Sequence, residues 1–196
     1  MRKQKIQLVV LLAAFLLFAL GFYAAKSISA REEEKERAKE AGEYTALSFD
    51  ADDLVKLEIE REEGNLELDF HEGKWSFVKD INLEMEEKDE EKKTYEVNTS
   101  AADEIRDTLA NLTSQNEIAA GEDESEYGLD KPAMTITVTL SGGAEHSVEV
   151  GSLNSMLQAY YIRVDHSDTL YTMSETDHDL LCKTDTDLAQ EVSEES

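Results

Sequence analysis

Cysteine is almost absent from the 196-residue chain, and the lone Cys182 excludes both an intrachain disulfide and any multi-cysteine metal cluster. Basic side chains are scarce too: 19 Lys and Arg stand against 45 Asp and Glu, a formal charge of −26. The first 30 residues hold Arg2, Lys3, Lys5 and Lys26 and no acid, so the remainder is still more anionic. Such a surface repels phosphate, which excludes nucleic-acid binding by a basic footprint and disfavours docking on anionic lipid. Catalytic signatures are missing as well. No serine has a G-x-S-x-G context, and Gly142-Gly143 precedes neither a helix start nor a lysine, so it reads as a turn.

Charge is also missing from residues 6–25, IQLVVLLAAFLLFALGFYAA. Twenty helical residues span about 30 Å, the thickness of a bilayer's hydrocarbon core. The basic flank at Arg2, Lys3 and Lys5 predicts a cytoplasmic N-terminus and an extracytoplasmic remainder. A cleaved signal peptide is the rival. Its apolar core is typically shorter, about 7–15 residues, and Ser27-Ile28-Ser29-Ala30 places bulky Ile28 at the −3 position. Both readings deliver the rest of the chain outside. The expected organisation is therefore a basic flank and anchor over 1–30 and a charged helical spacer over 31–45. An extracytoplasmic domain over 46–190 and a loose tail over 191–196 follow.

Beyond the spacer the apolar period is two. Val55, Leu57 and Ile59, then Leu66, Leu68 and Phe70, alternate with polar residues, and Trp75 and Phe77 continue the pattern after Glu72-Gly73. Residues 84–93 (EMEEKDEEKK) hold one apolar side chain and read as an exposed loop. A helix follows, with Ser100 and Asp103 as its capping pair and Ile105, Leu109 and Leu112 as its apolar stripe. Asn111 would also lie on that helix. The sole proline, Pro132, holds Lys131 extended before a strand carrying Met134, Ile136, Val138 and Leu140. Val148 and Val150 form a return strand, and Tyr160 to Val164 and Leu170 to Met173 two more. Ser174 with Asp177 caps a terminal helix that would bury Leu180, Leu181 and Leu188. The sum is an α+β domain: a mostly antiparallel sheet of about seven strands, one central helix and one C-terminal helix.

The Trp75 strand, the helix ADEIRDTLANL, the segment YGLDKPAMTITV and the pair HSVEVGS and YYIRV resemble, in that order, domain-of-unknown-function family four-three-four-zero. The resemblance covers roughly residues 46–175, and Tyr127–Pro132 is its most specific part. It implies an association with auxiliary proteins of gliding-motility-type ABC transport systems, and it supplies no catalytic residue. One departure is Asp80, where the family commonly has proline after the Trp strand.

Candidate chemistry is sparse. His71, His146, His166 and His178 lie in different elements without metal-ligand spacing, and the neighbours of His178 in Asp177-His178-Asp179 point in three directions on a helix. Asp50-Ala51-Asp52-Asp53 opens like a calcium loop but lacks the glycine at position six and has Arg61 at position twelve. Cys182 reads as a packing residue with no histidine partner in sequence. Asn98 and Asn111 head glycosylation-like tripeptides that read as chance. No catalytic residue, cofactor or metal site is expected. Tyr127, Tyr160 and Tyr161 are the candidate contacts, with one of the adjacent pair facing the core and the other solvent. The expected function is a membrane-anchored, non-catalytic interaction domain. Its partners would be lipid through residues 6–25 and ABC transporter subunits or other envelope proteins. The alternative is an acidic cation- or ligand-binding envelope module.

Overall fold

The computed structural model describes residues 43–79, 94–121 and 123–192. Period-two alternation builds the central element, an eight-stranded antiparallel sheet. Its strands are β2 (Leu54–Arg61), β3 (Leu66–His71), β4 (Lys74–Phe77), β7 (Glu117–Ala119), β8 (Met134–Leu140), β9 (Glu145–Asn154), β10 (Ala159–Val164) and β11 (Thr169–Ser174). They lie in the order β4-β3-β2-β8-β9-β10-β11-β7. Register aligns the apolar residues in rows across the strands. Leu66, Ile59, Ile136, Val148 and Val164 are successive cross-strand partners, and Met134, Val150, Ile162 and Tyr171 form a parallel row. A one-residue slip would turn any of these strands' core residues to the other face, so burial itself fixes the pairing.

Helix α1 (Thr99–Ala110) contributes Ala102, Ile105 and Leu109 to the same core. Two small sheets frame it: β1 (Tyr44–Ser48) pairs with β6 (Asn111–Ser114), and β5 (Tyr95–Val97) pairs with β12 (Ala189–Glu191). The C-terminal segment is α2 (Glu175–Leu181) followed by the single turn α3 (Asp185–Leu188). The expected α+β class with a mostly antiparallel sheet is the one observed.

Several local expectations need correction. Twelve strands occur among the described residues, not about seven; β1, β5, β6, β7 and β12 span three to five residues, too short for alternation to register. The cap of α1 is Asn98, whose side chain accepts from Ala101 N at 3.2 Å, rather than Ser100. Asp103 reaches elsewhere, accepting from Trp75 Nε1 at 2.9 Å and pairing with Arg106 at 3.0 Å. The helix ends before Leu112 and Asn111, which belong to β6. There Leu47 and Ser48 of β1 take them as partners, and Phe49 N donates to Ala110 O at 3.1 Å. Strand pairing thus satisfies backbone groups that another helical turn would have used. Leu112 is buried all the same. Tyr44 and Thr45 belong to β1, not to a spacer, and Glu191 belongs to β12, not to a tail.

Ser174 does cap α2, accepting from Asp177 N at 3.0 Å. Leu188, however, sits in α3, where Thr184 and Asp187 form a capping box. Asp50 caps a short 3-10 turn at Ala51–Asp53, and Asp53 accepts from Ser141 Oγ at 2.9 Å, so this stretch is the strand entry expected. Residues 6–25, most of the spacer and the 84–93 loop lie outside the described residues. No described helix is long and apolar enough to cross a membrane.

Candidate interaction surface

Tyr127–Pro132 crosses β9 in backbone contact. A 3-10 turn at Glu124–Tyr127 ends on Gly128, whose φ of 69° places it in the left-handed region. A Cβ at Gly128 would lie 2.2 Å from Ser152 Oγ, and one at Gly151 would lie 2.1 Å from Tyr127 O. Two glycines therefore let the strap and the strand approach as no other residue could. Leu129 of the strap is buried, its side chain against Gly151, and Ala133 N donates to Val150 O at 2.9 Å as the chain enters β8.

This strap seats Tyr127 against Tyr161, with ring centroids 5.0 Å apart and planes at 80°. Edge-to-face contact suits the aromatic quadrupoles. Alongside, Arg163 donates to Glu149 Oε2 at 2.5 Å and to Glu124 Oε1 at 2.7 Å. Those bonds, chiefly the one to Glu149, raise the guanidinium's affinity for its proton further. The strap is thus tied to β9 and β10 by packing and by charge.

Tyr161 also receives Asn154 Nδ2 at 2.6 Å. The carbonyl oxygen of the same Asn154 side chain accepts from Met156 N at 3.0 Å and Leu157 N at 3.1 Å. This Asx turn, with Gln158 at φ 51°, closes the β9–β10 hairpin. Its tip carries Leu153, 43% exposed, Leu157, 45% exposed, and Met156, 94% exposed. The whole stretch 150–162 contains no charged residue.

Of the three tyrosines singled out from sequence, Tyr127 and Tyr161 come together and Tyr160 does not. Tyr160 lies across from Met173 on the core side and stacks on His178 of α2, with centroids 3.6 Å apart and planes 7° from parallel. Tyr161 occupies the other face, as adjacency requires. It is half-buried beneath Tyr127 rather than open to solvent, which corrects the expected exposed aromatic. The most exposed apolar side chain here is Met156. Sequence alone does not single out Leu153, Met156 and Leu157, because a hairpin tip is expected to be polar. The available signal was a pair of large apolar residues inside a turn.

His178 and Cys182 are neighbours one helical turn apart. Cys182 Sγ lies 3.7 Å from both ring nitrogens, correcting the expectation that the thiol has no histidine partner. Burial pushes the Cys182 thiol's pKa up, and a protonated thiol is a poor nucleophile. Arg61 donates to the carbonyls of Cys182 and Lys183, fixing the end of α2 to β2. An open cleft of about 670 Å³ beside Arg61 is lined by Glu60, Glu62, Asn65, Lys131 and Pro132 among others, a mixture of both charge signs. No group of three or more metal-ligating side chains occurs among the described residues.

Neither the curated proteins nor the solved structures contain a match to the chain. A family model described as "Domain of unknown function (DUF4340)" matches residues 90–191, just over half of the chain. The match begins later than the sequence resemblance at residue 46 and runs past its end at 175. It takes in β5 to β12, hence the strap, the hairpin and all three tyrosines.

Proposed function

The chain belongs to the family of Domain of unknown function (DUF4340), and we propose that it is a membrane-anchored, extracytoplasmic, non-catalytic interaction domain. In this reading residues 6–25 hold it in the bilayer, and the domain serves as an accessory to an ABC-type transporter or a comparable envelope complex. The observation that carries the reading is the β9–β10 hairpin. An apolar end projects from a strongly acidic molecule, and Asn154, Tyr161 and Tyr127 brace it from behind. Exposed apolar groups on a rigid support lose little conformational freedom when they are covered, which favours contact with a partner. The apolar length of 6–25 and its basic flank support the anchor. The transporter association rests on the family resemblance alone and is an analogy.

The test is to purify the tagged full-length chain in mild detergent from native membranes. Recovery of transporter or other envelope subunits in fixed proportion supports the reading. A chain that extracts alone from membranes under mild conditions, without any stoichiometric partner, contradicts it.

A further inference from the structure

We propose that the end of the β9–β10 hairpin inserts into an apolar recess on a partner protein whose rim carries Lys and Arg. This rests on the interaction-domain reading and names its surface and the chemistry of its partner. Leu153, Met156 and Leu157 form the insert, and the two backbone bonds to Asn154 preset its shape. Acids flank it on two sides. On one side the 3-10 turn brings Glu126, next to Tyr127, which packs against Tyr161 of the hairpin. On the other, Ala159 pairs with Ser174, so α2 begins beside the tip with the exposed Glu175. Further along the strands, Arg163 is engaged by Glu124 and by Glu149 opposite it.

That combination discriminates among occupants. A second copy would bring the same acids to the interface, and like charges across an interface are costly. Anionic lipid is repelled in the same way. A protein recess with an apolar floor and a basic rim satisfies both the tip and its flanks. Its rim would steer encounter, and its floor would hold Met156.

The experiment places a photoreactive benzoylphenylalanine at Met156 of the full-length chain in native membranes, with the same residue at Glu145, the far end of β9, as control. The expected result is a protein adduct from position 156 and none from 145. The crosslinked peptide should be apolar with Lys or Arg close by. Adduct yield should fall steeply with added salt, since screening acts on the charged rim. Introducing Glu126→Lys with Glu175→Lys, both exposed, should cut the yield by about tenfold while leaving the circular dichroism unchanged. An adduct with lipid or with a second copy overturns the proposal, as does a protein adduct insensitive to salt and to the charge reversals. If envelope subunits co-purify yet position 156 gives no adduct, the surface is wrong and the interaction reading stands. If nothing co-purifies, both fall.

Discussion

Asp103 shows how one side chain links two elements. Its carboxylate accepts from Trp75 Nε1 of β4 at 2.9 Å and pairs with Arg106, whose guanidinium lies 5.7 Å from the centre of the Phe70 ring. Asp103→Ala leaves the buried indole N–H without its acceptor and should cost about 1–2 kcal/mol in denaturant unfolding. Asp103→Asn retains an acceptor and should recover most of that loss, a contrast that simple loss of helix propensity would not give. Cys182 offers a second check. Its raised pKa means that folding favours the thiol, so this contribution is present below the ordinary thiol pKa and fades as pH rises through the folded value. Labelling by a disulfide reagent at pH 8 should be slow in the native protein and accelerate on unfolding. Equal rates would contradict the burial. Asp103 is a case where sequence misleads: its spacing from Ser100 suits a capping box, and only the three-dimensional position of Trp75 reveals its other use. Nor does sequence reveal that Asn154 closes a turn while also holding Tyr161.

Among elements, the strap across β9 makes the sharpest prediction. Gly151→Ala would drive a methyl group into Tyr127 O and the Leu129 side chain, and should cost about 1–3 kcal/mol as the strap lifts. Gly142→Ala meets nothing within 4 Å and should be nearly silent in the same thermal melts. The C-terminal clip is sensitive to acid. Thr184's backbone N–H and hydroxyl both donate to Asp187, chiefly the backbone, and lower its carboxyl pKa from 3.8. A depressed pKa gives stability that is present above the ordinary value and lost as pH falls through the folded one. Protection against amide exchange in α3 and β12, relative to the intrinsic rate at each pH, should therefore fall as the pH drops below 3.8 before that of the central sheet does, and Asp187→Ala should lower it at neutral pH. Strands β2, β3, β8 and β10 were legible because four or more residues alternate with a buried face. The end of α1 was not, since Leu112 continues the helical stripe but is claimed by Leu47 of β1. The meaning of Tyr127-Gly128 as a strap was also hidden, because its counterpart Gly151 lies in another element.

At the scale of the molecule, the family match supplies five strands of the eight-stranded sheet and the residues before it the other three. Residues 90–191 supply β8 to β11 and β7, while β2 to β4 extend the sheet from β8 outward. The acidic balance, −26 over the chain, was fully legible in the sequence. The apolar tip inside that acidic surface was not legible, because exposure depends on which residues the hairpin leaves uncovered. In the proposed reading, residues 6–25 anchor the chain in the membrane and present the domain outside. The direct test of that reading is a full-length chain with an epitope tag at each end, in intact cells stripped of any outer barrier and treated with external protease. The protein should stay with the membrane fraction, its C-terminal tag should be lost, and its N-terminal tag should survive until the membrane is broken. Survival of the C-terminal tag in intact cells, or full-length protein in the soluble cytosol, would contradict it.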